Sequence, residues 1–393
     1  MQKRKIHQKN KFLQLFGLII TSILTIKTYP LAKPSLVNSL EKAAIISALG
    51  TDPQDAVYII KEKILSKNED EIENENYENK VIYAQNNEIS EKNEIETESE
   101  ITEENIQTST QISEEISEEI PTEYRAEIIE ENMSGTAKTG VPEYKKTLIK
   151  NNTKLSDEEV VKTAEEELNL EISAKNPQVL IYHTHATESF EKYDSKFYDT
   201  RNTWRSTNSE ENMIAVGNEI EKAIEAWGVE VIHDTSLHDY PSYNGSYQRS
   251  AETIAKYLEE YPTIKVLLDV HRDAVQRETT LVKPVTTING IKTAQLMIVT
   301  GCDSEGELNI PNWKNNFQFG IRIQNEIEEK YPTLCRPLFL TSGKYNQNLG
   351  KASILLEVGS HGNTLEEAKN CGKMTGDAIG SYLSKLIENE TQN

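Results

Sequence analysis

Three apolar runs of the chain carry the side chains that metal-assisted hydrolysis needs. The run "VLIYHTHATESF" (179–190) passes from β-forming residues into His183 and His185, with Glu188 three positions later. "IKVLLDVHRDA" leads into His271 and Arg272, and "ASILLEVGS" holds Glu357 within an otherwise apolar stretch. A hydrolytic zinc site takes three ligands of the His and carboxylate type and leaves its fourth position to water. A carboxylate beside it then carries the water's proton to the leaving group. His185, Glu188 and His271 are such a ligand set, and Glu357 is left for the proton.

Plainer roles exist for each of these residues. Glu188 can cap the turn after its strand, and His271 can be a hydrogen-bonded core histidine. A carboxylate inside an apolar strand costs several kcal/mol unless it is paired, ligated or used. Arg272 is the obvious structural partner for Glu357. Glu210 and Glu211 open the next helix, where acidic side chains suit the dipole, and either is an alternative ligand to Glu188, as His183 is to His185. His233 and His238 flank the tyrosine-rich loop "HDYPSYNGSY" and, with His361, read as surface or lip residues. Lys344, Tyr345 and Asn348, in the loop before the last strand, line a possible substrate groove with Arg272. Cys302, Cys335 and Cys371 are too far apart in sequence for a zinc ribbon or a disulfide framework and read as small buried apolar residues. No phosphate-binding glycine loop, nucleophile elbow or catalytic-cysteine context is present.

Positioning these groups requires strands that end at one edge. From about Gln178 short apolar runs alternate with helical periods, which predicts an α/β fold with a mostly parallel central sheet flanked by helices. The strands are "VLIYH", "VEVIH", "IKVLLDVH" and "ASILLEVGS", with helices over about 209–227, 248–261 and 312–331. Asn289-Gly290 predicts a hairpin whose second arm joins the sheet. Asn363 reads as the cap of a closing helix, with Glu366 at the third position of a capping box. Ligand sites in open parallel sheets form beyond the carboxyl ends of the strands, where the His and Glu residues fall.

Charge divides the rest of the chain. Between Glu69 and Ile120 there are eighteen acidic residues and two lysines, −16 of the formal net charge of −22. Such a segment buries too little apolar surface to offset chain entropy and reads as a disordered, self-repelling tether. No basic patch points to nucleic acid. At the start, Lys3 to Lys11 precede an apolar run from Phe12 to Ile26, closed by Lys27. That pattern suits a membrane anchor or a secretory signal with the N-terminus in the cytoplasm, and "YPLAK" is a poor cleavage site, which favours the anchor. The predicted organisation is a basic stub and anchor (1–34), a short helical segment (35–67), an acidic linker (68–135), a mixed linker with a helix capped by Ser156 (136–177), the catalytic domain (178–388) and a tail (389–393).

"IYHTHATESF", "VIHDTSLHDYPSYNGSYQRS", "VLLDVHRDA" and "ILLEVGSHGNTLEEA" closely resemble the signature blocks of the stage II sporulation protein P family, peptidoglycan hydrolases of engulfment in endospore-forming bacteria. The resemblance covers residues 178–388. It implies a domain similar to the zinc-dependent N-acetylmuramoyl-L-alanine amidases, which cleave the amide between the lactyl group of muramic acid and L-alanine. Endopeptidase activity is also ascribed to the family, and its partners are stage II sporulation proteins D and M. Carried over residue by residue, the amidase strand end "DPGH" matches "YHTH" and favours His185; "SLHAN" matches "DVHRD" at His271; the late catalytic glutamate matches Glu357. The middle carboxylate comes from the following helix in the broader amidases, which would be Glu210 or Glu211, whereas the sporulation block itself carries Glu188. The expected enzyme is a membrane-anchored extracytoplasmic zinc amidase at the sporulation septum, and the alternative is a non-catalytic wall-binding or scaffold module.

Overall fold

Both alternating sets of side chains on the central strands are apolar, so each face of the sheet needs a helical cover. The computed structural model describes residues 120–135, 141–173 and 176–391, and supplies that cover. Its main sheet runs, in spatial order, β2 (Glu143–Tyr144), β3 (Thr147–Asn152), β12 (Leu338–Thr341), β11 (Leu296–Gly301), β13 (Ala352–Ser360), β7 (Val266–Asp273), β4 (Val179–Tyr182) and β6 (Val231–His233). Val179, Ile181, Leu268, Val270, Ile354 and Leu356 share one large core with α2 (Met213–Glu225), α4 (Trp313–Lys330) and α5 (Leu365–Thr391). The opposite set, Leu180, Tyr182 and Leu267, packs with Ile254 and Tyr257 of α3 (Ser246–Glu260). An α/β architecture with helices on both faces is therefore present.

The sheet is less uniformly parallel than the sequence suggests. Five of its seven pairings are parallel, whereas β2–β3 and β11–β13 are antiparallel. The cause is a second sheet of mixed direction, in the order β10 (Ile291–Ala294), β9 (Thr280–Ile288), β1 (Arg125–Glu131) and β5 (Phe197–Asp199), with β8 (Gln276–Arg277) also paired to β9. The expected hairpin forms: Asn289 and Gly290 have φ of 51° and 81°, the left-handed pair that a two-residue turn requires. Its second arm splits, however. β10 stays with β9, and after Gln295 the chain crosses into the main sheet as β11, running against β13. Gln295 fastens the crossing, accepting the Met133 N–H at 2.6 Å and donating to the Thr333 carbonyl at 2.8 Å.

Two predicted linkers contribute strands. β1 comes from the end of the segment assigned to the acidic linker, and β2 and β3 come from the mixed linker, so the folded unit begins well before residue 178. These strands are hard to see in sequence because "RAEIIEE" has only Ile128 buried, registered beside Leu281 of β9. Ile149 of β3 is fully buried in the main core. The anchor, the short helical segment, the acidic run up to residue 119 and residues 392–393 lie outside the described residues. Among the described residues no helix is long and apolar enough to cross a membrane.

Helix starts follow local capping. Ser156 forms a full capping box with Glu159 ahead of α1 (Asp157–Glu165). For α5 the box is one residue later than expected. Thr364 and Glu367 exchange the two capping bonds, while Asn363 Oδ1 accepts the Ser360 N–H and so serves the strand end instead. A chain beginning at residue 178 lacks β1 and β3 and uncovers Leu281 and Leu338; circular dichroism on heating is expected to show no cooperative transition. A chain beginning at residue 120 is expected to melt cooperatively.

Candidate metal centre

Along β7 the odd-numbered side chains share one face and change in character from apolar to ionisable. Leu267 packs on α3, Asp269 is 1% exposed, and His271 stands near the strand's end. Glu357 of β13 is registered beside His271. β4, level with Asp269 at Tyr182, releases the chain into a turn that brings His185 and Glu188 to the same edge. Ligand atoms of His185, Glu188 and His271 all lie within 4.8 Å of one another. His185 Nδ1 is 3.9 Å from Glu188 Oε1, and His271 Nδ1 is 3.7 Å from Glu188 Oε2. These gaps are too wide for hydrogen bonds.

The remaining nitrogen of each histidine faces a polar neighbour. His271 Nε2 lies 2.7 Å from Asp269 Oδ1, and His185 Nε2 lies 3.0 Å from Ser246 Oγ at the start of α3. Asp269 also accepts the Thr184 N–H at 2.9 Å and the Thr184 hydroxyl at 2.7 Å, which ties β7 to the turn after β4. The His185 ring stacks on Tyr243 at 4.6 Å and meets Tyr247 edge-on at 5.6 Å. Glu188 is held in turn: its Oε2 accepts the Arg272 backbone N–H at 3.2 Å, and the Glu188 and Arg205 backbones form a bridge. Asp239, with its side chain fully buried, takes the Thr187 hydroxyl at 2.6 Å and Arg205 Nη1 at 2.7 Å. Such outer partners fix which nitrogen of a histidine is available to a ligand.

Charge is crowded at this edge. Burial lowers the pKa of His271, but the charge and hydrogen bond of Asp269, helped by Glu188 and Glu357, outweigh it and raise the pKa to about 9. Burial and the neighbouring His271 bring His185 down to about 4. Burial, reinforced by Asp273, pushes Glu357 up to about 8 against the pull of His271. Burial disfavours the Glu188 carboxylate, yet Arg272, His271 and His185 hold its pKa below the ordinary value. Glu357 Oε2 is buried and makes no hydrogen bond within the protein.

Other residues singled out from the sequence lie elsewhere. His183 faces the large core, where its Nδ1 donates to the Val270 carbonyl at 2.8 Å and its Nε2 lies 2.9 Å from His233 Nε2. It directly follows Tyr182, the last residue of β4, and the turn that begins there separates it from His185. Glu210 and Glu211 are exposed, before a helix that starts at Met213 and is capped by Asn212, whose Oδ1 accepts the Ile214 N–H at 2.9 Å. Arg272 does not pair with Glu357. Its guanidinium donates to the carbonyls of Ser189, Trp204 and Asp273, holding the loop between them. Lys344 is exposed and Asn348 partly buried. His238 and His361 are buried at 4% and 5% exposure, so neither is a surface residue, and the His233 ring is covered likewise. Asp269, Ser246 and Asp239 escaped the sequence reading. For Asp269 the signal was available: it is a carboxylate in an apolar strand, as Glu357 is.

The family model for stage II sporulation protein P matches residues 51–380. Stage II sporulation protein P of Bacillus subtilis (strain 168) is 27% identical over 212 residues, 51% of this chain and 50% of the relative, so the chain spans about half the length of that curated relative. Among solved structures, the amidase AmiC2 of Nostoc punctiforme is 12% identical with a TM-score of 0.31, covering 56% of this chain and 99% of its own. The catalytic domain of CwlV, an amidase of Paenibacillus polymyxa var. colistinus, is 12% identical with a TM-score of 0.33, covering 54% and 99%. The CwlD amidase of Clostridioides difficile, solved in complex with the GerS lipoprotein, is 11% identical with a TM-score of 0.32, covering 55% and 98%.

The clamp around Glu188 has a measurable stability. Asp239→Ala leaves the Thr187 N–H and a partly buried guanidinium without their acceptor. Urea unfolding is expected to show a loss of about 2 kcal/mol, below the range for a fully buried pair because Arg205 is 30% exposed at its side chain.

Proposed function

Since the chain belongs to the stage II sporulation protein P family, we propose that it is a peptidoglycan hydrolase of sporulation, acting as a zinc-dependent N-acetylmuramoyl-L-alanine amidase. The observation that carries this reading is the convergence of His185, Glu188 and His271 at one sheet edge beside Glu357. The donors fit a zinc ion by chemistry: two imidazoles and one carboxylate, buried, with no hydrogen bond among themselves and with the far nitrogen of each ring beside a polar group, Asp269 or Ser246. Zinc held there supplies Lewis acidity toward a carbonyl and toward water.

The chain's own groups do the rest. Asp269 faces His271 Nε2, so Nδ1 is the nitrogen that would turn to a metal, giving up its proton on binding. Ser246 and the stacked Tyr243 keep the His185 ring in its plane. Glu357, with Oε2 uncommitted, receives the proton of the attacking water and delivers it to the departing nitrogen of L-alanine. The bond formed is water oxygen to the lactyl carbonyl carbon, and the bond broken is that carbon to the amine. By family likeness, the substrate is the stem peptide on its glycan strand and the partners are stage II sporulation proteins D and M. The apolar run from Phe12 to Ile26 serves as the anchor that keeps the hydrolase at the outer face of the membrane.

Mass spectrometry of wall fragments tests this. Lactyl-ended glycans and free stem peptides are expected, without new reducing or anhydro sugar ends. Fragments cut within the cross-link peptides instead would make the same centre an endopeptidase, and unaltered glycopeptides would favour a wall-binding module. Glu357→Gln is expected to lower turnover by at least about a hundredfold, the usual contribution of a positioned acid–base group, with zinc content by atomic emission unchanged. Loss of zinc in that variant would make Glu357 a ligand.

A further inference from the structure

The loop between β12 and β13 contains Tyr345 and Asn346 at φ of 45° and 53°, two successive non-glycine residues in the left-handed region. Asparagine adopts this conformation readily, but an aromatic residue rarely does. A residue held there is strained and persists only where its surroundings determine it. The surroundings here do so. Gln347, 1% exposed, accepts the Gly301 N–H at 2.8 Å and donates to the Val299 carbonyl at 2.9 Å. Asn346 Nδ2 donates to the Tyr247 carbonyl at 2.8 Å and to Ser250 Oγ at 3.0 Å. Ser250 Oγ is 2.9 Å from Thr184 Oγ1, which donates to Asp269. The loop is thus bolted to the carboxylate that orients His271.

These bonds hold the loop that carries Tyr345 against the start of α3, whose Ser246 meets His185. Gly343 has no Cβ because one would stand 2.2 Å from the Tyr345 ring and 2.7 Å from its hydroxyl, so the ring lies directly over that glycine. Tyr345 contacts Tyr247 at 6.3 Å between centroids, and Tyr247 contacts His185 at 5.6 Å, which extends an aromatic wall from the metal-ligand cluster to this loop. We propose that Tyr345 is a further catalytic residue, whose phenol donates a hydrogen bond to the carbonyl oxygen of the scissile amide as negative charge develops on it. Burial, aided by the nearby Glu357 carboxylate, raises the phenol's pKa above its ordinary value, so it stays protonated and keeps an O–H to donate. It keeps its proton throughout; the protons of hydrolysis move through Glu357. The inference rests on the amidase reading and names the group that recognises the reacting carbonyl.

The test uses the full chain, loaded with zinc, acting on disaccharide-pentapeptide. Removing one donor to a developing oxyanion lowers kcat by about a hundredfold, and Tyr345→Phe is expected to do so with KM and zinc content unchanged. Gly343→Ala, which displaces the ring without altering it, is expected to lower kcat alongside it. Unchanged kcat in Tyr345→Phe overturns the proposal, as does a rise in KM alone, which would place the phenol on a remote part of the substrate. Loss of zinc in Tyr345→Phe overturns it too, because the residue would then act on the metal centre. A wild-type chain that turns over while both variants match it defeats this inference alone; a wild-type chain that releases no L-alanine amine defeats the amidase reading.

Discussion

Asp269 is 1% exposed within a central strand, where an ionised carboxylate without partners would be untenable. Its pKa is nonetheless held below the ordinary carboxylate value, because His271 and the two Thr184 donors outweigh the effect of burial. This need for partners dictates much of the local structure. Thr184 must leave β4 with its N–H and hydroxyl turned toward β7, and that geometry starts the turn carrying His185 and Glu188. His271 must present Nε2 to the carboxylate, so Nδ1 faces Glu188. Ser250 and Asn346 then continue the same network to α3 and to the β12–β13 loop. Breaking a buried network of this kind by removing one member leaves the others unsatisfied, so its members stand or fall together.

What could be read from the sequence followed from strand period and cost. The apolar runs ending in His271 and containing Glu357 marked both adjacent strands and the polar edge, because charged groups inside such runs demand an explanation. Glu188 was separable from Glu210 and Glu211 only by the family blocks, since all three are acidic residues near an element's end. His183 and His185 differ by two positions and would share a face in a continuing strand. The chain stops being a strand after Tyr182, and this divides them. The second sheet was invisible for another reason. Its strand β1 buries a single isoleucine among charges, and composition windows read it as part of the acidic stretch. β11 looked like the second arm of a simple hairpin because no local signal marks the crossing at Gln295.

The second sheet also shows how an acidic segment is accommodated against a core. Lys283 of β9 is 1% exposed at its side chain and lies 2.6 Å from Asp194 and 2.8 Å from Glu367. Lys292 adds a second cation beside Asp194 and Glu367. Glu367 is the same residue that caps α5, so the helix start, the hairpin and the loop after Phe190 are neutralised in one place. A buried amine is tolerated when its partners are this close, and removing a single one would leave an uncompensated charge.

Strand order sets a timetable for the nascent chain. His185, Glu188 and His271 are all made before β13, and a chain interrupted at residue 350 would contain every one of them. It would lack the strand that joins β7 to β11, so neither half of the main sheet would have its neighbour. β3 likewise waits for β12, a pairing across nearly the whole folded unit, and such distant contacts form slowly. Global stability and Glu357 therefore arrive on the same strand, and an unfinished chain has His185, Glu188 and His271 without the strand that completes the sheet around them.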